Sequence, residues 1–329
     1  MEIFMKKWKL AVILLLGMSL LSGCSKVSNK PISRTTTLFD TVVKIDIYDK
    51  NSEDVLDACI KKCEDYEKRF SRTLEGSEIY QLNHAGGQPV ELSDDTVELI
   101  NLGLDYCILS EGRFDITVGR LSDLWDFKNN TGTVPDAKTI EELQSHVGFQ
   151  NVVVNGNTVQ LRDPAAAIDL GGIAKGYIAD QLKAYMKDQG VSHALINLGG
   201  NVLAIGGKPD GTSFNIGIQK PFDEQGSSIT SVKMKDRSIV SSGIYQRYFK
   251  VDDTIYHHIL NPSTGYPYKN NLLGVTIICD SSAEADALST TCFALGESEG
   301  MELINNTASA EAIFITDDYK LHYSSGFQK

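Results

Sequence analysis

Phe39-Asp40-Thr41-Val42-Val43-Lys44-Ile45-Asp46-Ile47-Tyr48 alternates apolar with polar residues and is rich in β-branched side chains, the pattern of a half-buried strand. Helical periodicity follows over about 52–70 and again over about 93–110. The second helix has Ser93 as its N-cap, Asp94 and Asp95 in its first turn and Gly112 just past its end, which are the expected boundary signals. Further helices are expected at about 171–189, stopped by Gly190, and at about 283–295, ending before Gly296. Strand-like runs recur at 194–206, 213–219, 228–233, 255–260, 273–279 and 311–316. Long helices among hairpin-like strands, without strict βαβ alternation, predict an α+β protein. We expect a single large domain over 35–329, with a mixed, mainly antiparallel sheet and packed helices, because no linker interrupts it.

The N-terminus carries a different signal. Lys6, Lys7 and Lys9 precede an apolar run from Leu10 to Leu16, and Leu21-Ser22-Gly23-Cys24 closes it. A basic segment, a short apolar core and small residues before a break describe a secretory signal. The apolar stretch is shorter than the roughly 20 residues that cross a bilayer. Leu-Ser-Gly-Cys resembles a bacterial lipobox, which implies a signal peptide over 1–23, cleavage before Cys24 and its acylation. Residues 24–34, polar and containing Pro31, read as a tether. The chain is therefore expected to be extracytoplasmic and lipid-anchored to the cell membrane.

Charge narrows the partners. The whole chain carries −12, and removing a leader with three Lys and one Glu takes it to about −14. Such a surface has no electrostatic footprint for nucleic acid, and it would meet a membrane through the anchor rather than by charge. Five cysteines remain beyond Cys24, an odd number without zinc-like spacing. Cys59 and Cys63 fall at core spacing on the first helix, and all five read as unpaired structural residues.

Four segments carry chemistry. Asp169-Leu170-Gly171-Gly172-Ile173-Ala174-Lys175-Gly176 places two glycines and a lysine at the mouth of a helix, a position suited to an anion and equally to a plain tight turn. Asp286 and Thr290 lie four apart on a helix, so their oxygens share a face. That pair suits a hard cation such as Mg²⁺; it also reads as a first-turn Asp with a buried Thr. In His257-His258 two successive imidazoles point to opposite sides of a strand; both also read as plain strand surface or core residues, the reading kept for His257, whereas His258, facing phosphates, would make a general base. Ser241-Ser242-Gly243-Ile244-Tyr245-Gln246-Arg247 is either a strand turn or a loop cradling a flat ring.

From about residue 35 to the C-terminus the chain resembles the ApbE family of FAD:protein FMN transferases. The resemblance lies in Phe39-Asp40-Thr41, Phe70-Ser71, Gly112 to Gly119, Asp169 to Gly176, Ser242-Gly243-x-Tyr245-x-Arg247, His258 to Pro267 and Asp286 to Thr290. It departs at Phe39-Asp40, where the family often has Met-Gly, and at Thr73, where an aromatic is common. The resemblance implies an ApbE-like, T-fold-like architecture and FAD as substrate. It also implies Mg²⁺ on Gly172, Asp286 and Thr290, with His258 beside the scissile phosphate. FAD contacts are implied at Phe39, Thr73, Arg113, Phe114, Asp115, Asp169, Lys175, Ser242, Ile259 and Thr264.

The implied reaction moves FMN from FAD onto a threonine hydroxyl of a target flavoprotein, a subunit of a membrane redox complex, and releases AMP. Two other outcomes fit the same residues. Water in place of the threonine would make a FAD pyrophosphatase, and no reaction at all would leave a FAD-binding lipoprotein.

Overall fold

The computed structural model describes residues 30–129, 132–224 and 226–327. The leader, Cys24 and the tether up to residue 29 lie outside them. Among the described residues no helix is long and apolar enough to cross a membrane.

The alternating stretch forms the second strand rather than the first. β1 (Ile32–Leu38) and β2 (Thr41–Ile47) pair antiparallel, with Leu38 opposite Thr41. Strand structure thus begins inside the segment expected to be tether. Two residues, Phe39 and Asp40, make the connection at φ 54° and 56°. Positive φ at both centres is what a type I′ hairpin turn requires, and it normally falls to Asn-Gly. A bulky side chain there costs on the order of 1 kcal/mol. Anchors hold the turn: the Phe39 amide donates to Glu67 Oε1 at 2.6 Å, and Arg247 donates to the Asp40 carbonyl at 3.3 Å.

The helix α1 (Glu53–Phe70) buries Leu56, Cys59, Cys63, Tyr66 and Phe70, a stripe in steps of three and four that faces the core. After α2 (Glu78–Asn83) and β3 (Val90–Glu91) comes α3 (Asp94–Leu109). Ser93 stands at the N-cap of α3, but its hydroxyl donates to Glu78 instead of accepting from the helix amides. Two short helices, α4 (Gly119–Trp125) and α5 (Ala137–Gln144), precede the hairpin β4 (Val152–Asn155) and β5 (Thr158–Leu161).

The chemistry-bearing half begins with α6 (Ala174–Asp188). It continues through β6 (Ala194–Leu198), β7 (Asn201–Ile205), β8 (Phe214–Gln219), β9 (Ser228–Met234) and β10 (Ser238–Gly243). The hairpin β11 (Tyr248–Val251) and β12 (Thr254–His257) leads to β13 (Leu272–Cys279), α7 (Ser282–Leu295), α8 (Glu297–Asn305), β14 (Glu311–Thr316) and β15 (Leu321–Tyr323). Eight strands form one antiparallel sheet in the order β1-β2-β6-β7-β10-β13-β14-β15. Every residue of β7 and β13 is buried, so both faces of the sheet are covered at its centre. This is the α+β architecture expected, with the pairing wholly antiparallel in this sheet.

Helices α6 and α7 meet over the centre of that sheet and are fastened by side chain and by backbone. Asp180 of α6 accepts from Ser281 Oγ and from the amides of Ser282 and Ala283, all within 2.9 Å. At Gly176 the helices come so close that a Cβ would lie 2.2 Å from the Ser282 carbonyl oxygen. Gly176→Ala would gain about 1 kcal/mol of helix propensity, yet a backbone clash of this depth costs about 1–3 kcal/mol or more. We expect net destabilisation of about 2 kcal/mol, read as a lower denaturant midpoint; an unchanged midpoint would show that the helices separate freely.

Candidate functional site

The site forms where α6 and α7 meet β10 and the segment after β12. Asp286 is buried, and its Oδ2 accepts the Gly176 amide at 2.9 Å, with Lys175 Nζ 3.5 Å away. One turn later Thr290 Oγ1 lies 3.0 Å from Ser242 Oγ. Gly172 completes the corner: a Cβ built on it would be 3.0 Å from the Phe114 ring and 3.7 Å from Thr290 Oγ1. A larger residue here would have to push the Phe114 ring aside by a few tenths of an ångström.

The helix mouth is less open to an anion than its glycines suggest. Gly171 donates its amide to Asp169 Oδ1 at 2.8 Å, and Lys175 Nζ donates to the Gly171 carbonyl at 2.9 Å. Burial alone would push Asp169 up, but the Arg72 guanidinium, the Gly171 amide, Ser122 and Arg247 outweigh it and hold its carboxyl below the usual range. Arg72 Nε sits 3.1 Å from Asp169 Oδ2, and a second arm of the same guanidinium reaches Asp123. Arg72 and Ser122 had no sequence signal of their own. They join the site only through the fold, which brings three distant segments to Asp169.

The two histidines divide as their strand positions suggest. His257 is buried, with Nε2 2.9 Å from the Tyr268 carbonyl, and burial lowers it to about 4. It is a core residue. His258 is half-buried, its amide donates to the Arg247 carbonyl at 3.1 Å, and its buried Nδ1 has no partner among the described residues. Burial first, then the charges of His257, Arg247 and Lys175, lower its imidazole to about 3. His258 is therefore neutral at ordinary pH, with a nitrogen free to take a proton.

The other expected contacts have partners of their own, and Phe114 lies against Gly172. Asp115 spends its oxygens within the protein, accepting from the Thr117 amide and hydroxyl at 2.8 and 2.6 Å and from the Phe149 amide at 3.0 Å. Burial raises its pKa in spite of those bonds. It staples a loop through both oxygens, with one lone pair of Oδ2 left over. Arg113 pairs with Glu299 of α8 at 2.6 Å, and its carbonyl accepts from Tyr268. Thr73 is exposed and bonded to Ser71, beside Arg72. Thr264 sits in a turn, accepting the Tyr266 amide, and neighbouring Gly265 takes the Trp125 indole. Ile259 is buried and hydrogen-bonded to Tyr268 through its carbonyl. Phe39 reaches the site indirectly, through the Asp40–Arg247 contact. All five cysteines beyond Cys24 are free and buried, and burial pushes Cys59, Cys63 and Cys279 up to about 12.

The donor set favours a hard cation. Among the described residues no group of three or more His, Cys, Asp or Glu is arranged to hold a metal. The Asp286 carboxylate and the Thr290 hydroxyl are both oxygen donors, which fits an ion that arrives with phosphate oxygens and water to fill its shell.

The helix pair thus brings a carboxylate, hydroxyls and a lysine together, with a neutral imidazole close enough to feel the lysine. Residues 39–314 match the ApbE family, and the chain belongs to it. A FAD:protein FMN transferase from Klebsiella pneumoniae is 33% identical, over 90% of this chain and 93% of its own length. One from Vibrio cholerae is 30% identical, over 98% of both. Among solved structures, the ApbE protein of Thermotoga maritima superposes with a TM-score of 0.82 at 31% identity, covering 90% of this chain and 97% of its own. The flavin transferase ApbE of Vibrio cholerae gives 0.78 at 27%, covering 91% and 98%.

Proposed function

We propose that this chain is a Mg²⁺-dependent flavin transferase that takes FAD as substrate and joins its FMN half to a threonine of another protein. The observation that carries the reading is the His258 imidazole, kept neutral by burial and by the charges of His257, Arg247 and Lys175, and close enough to Lys175, the partner of Asp286, to feel its charge. A hydroxyl is a poor nucleophile until a base accepts its proton, and His258 is free to do so. The threonine oxygen forms a bond to the FMN-side phosphorus, the bond from that phosphorus to the bridging oxygen breaks, and AMP departs with the oxygen. Gly172, Asp286 and Thr290 would hold Mg²⁺, which when bound neutralises charge building on the pyrophosphate. Lys175 would orient the same phosphates.

The acceptor is a threonine-bearing flavoprotein, and the signal sequence with Leu21-Ser22-Gly23-Cys24 supports a lipid-anchored site of action outside the cytoplasm. A subunit of a membrane redox complex would be within reach of such an anchored enzyme. Incubating the full-length protein with FAD, Mg²⁺ and a threonine-bearing flavoprotein should yield an acceptor heavier by one FMN, by intact-mass spectrometry, with AMP released. Free FMN and AMP would make it a pyrophosphatase, and untouched FAD a binding protein.

A further inference from the structure

Three hydroxyls stand in line at the cation site. Thr290 Oγ1 lies 3.0 Å from Ser242 Oγ, which lies 2.7 Å from Ser289 Oγ, and Ser289 donates to the Asp286 carbonyl at 2.9 Å. Ser289 is fully buried and Ser242 is 9% exposed. A hydroxyl has one proton and two lone pairs, so the direction of the chain follows from its far end. A carbonyl can only accept, so it takes the Ser289 proton. Ser289 must then accept from Ser242, and Ser242 from Thr290. The Thr290 proton is thereby turned toward Ser242, leaving its lone pairs for a ligand on the other side. In the reverse direction Thr290 would keep its proton free to face the cation.

We propose that Ser242 and Ser289 are positioning residues, a one-way hydroxyl chain that holds the Thr290 oxygen with its lone pairs toward the cation. The inference rests on the Mg²⁺ reading above. The chain closes on the main chain of Asp286, so the residue that supplies the carboxylate also sets the proton direction of the hydroxyl one turn away. Ser289 would act on the cation without touching it, since Ser242 stands between it and Thr290. Groups that orient metal ligands in this way are worth about 10- to 100-fold in metal affinity.

The test reads cation dependence separately from binding capacity. In full-length protein carrying His258→Ala, so that FAD is not consumed, FAD retention is measured by equilibrium dialysis across a Mg²⁺ titration. Added Ser289→Ala should raise the half-saturating Mg²⁺ concentration about 10- to 100-fold, with FAD bound at saturating Mg²⁺ unchanged. Ser242→Ala should shift it in the same direction and gives a second route should the buried Ser289 position fail to fold. Ser241→Ala, whose hydroxyl pairs with Thr276 at 2.8 Å, should leave the midpoint in place. A Mg²⁺-dependent parent with unmoved Ser289→Ala and Ser242→Ala variants overturns this inference alone. A parent that retains FAD regardless of Mg²⁺ overturns the cation reading, and this inference with it.

Discussion

Replacing His258 with alanine should cut flavin transfer by about two to four orders of magnitude, the range a positioned general base supplies. FAD binding should change little, because no residue of the cation corner depends on the imidazole. Among the described residues the bond given for His258 runs from its backbone amide to the Arg247 carbonyl, and alanine keeps it. The same environment sets the pH behaviour. An imidazole held at about 3 in the free enzyme is neutral and ready to accept a proton throughout pH 5–8. The kcat/KM profile of transfer should therefore show no acid limb from this residue near its ordinary 6.5. FAD phosphates would favour the charged form, so kcat, which reports the bound state, should titrate higher than kcat/KM. Full turnover in His258→Ala would remove the base and leave solvent to take the proton.

Asp286→Asn should be as severe through a different route. The amide keeps an oxygen that can accept the Gly176 N–H, so the α6–α7 junction survives, but the only carboxylate of the cation corner is gone. Cation affinity should fall at least about 100-fold, beyond what an orienting neighbour contributes. Turnover at ordinary Mg²⁺ should fall about 10²–10³-fold, as when a preorganised charge stabiliser is lost. Asp286→Ala adds a structural cost of about 1–3 kcal/mol by leaving the buried Gly176 amide unsatisfied. The pair of variants thus separates the two duties of one carboxylate: a Mg²⁺ titration reads one, and a denaturation midpoint the other. Wild-type Mg²⁺ dependence in Asp286→Asn would move the cation elsewhere.

Sequence reading succeeded where the physics is local. The period of two in β2, the three-and-four stripe of α1 and the four-residue step from Asp286 to Thr290 are each contained in one element. It failed on β1, because Ser33-Arg34-Thr35-Thr36-Thr37 is a polar edge strand whose partner, not its own pattern, makes it a strand. It failed on β10 for a similar reason: Ser238 and Ser242 are buried through hydroxyl bonds that apolar periodicity does not register. Short α4 and α5 show too few turns to declare a period. Within the site, the bonds that Asp115 accepts from Thr117 and Phe149 come from a loop 34 positions away as well as from its own neighbour, and sequence does not register them. Arg72 lies 97 positions before Asp169, and only the folded chain makes them a pair. The role implied for His258 came from resemblance to a family, since nothing in a His-His pair says which imidazole the folded chain will lock into its core.

The close approach at Gly176 has a consequence for how this protein can drift. Main chain rests on main chain there, so the gauge between the lysine-bearing and carboxylate-bearing helices contains no rotamer and no packing volume. Neighbouring core residues can trade methyl groups, and the surface can change its charge, without widening the gap that the ligands span. What this chain cannot exchange cheaply is a hydrogen atom at one α-carbon.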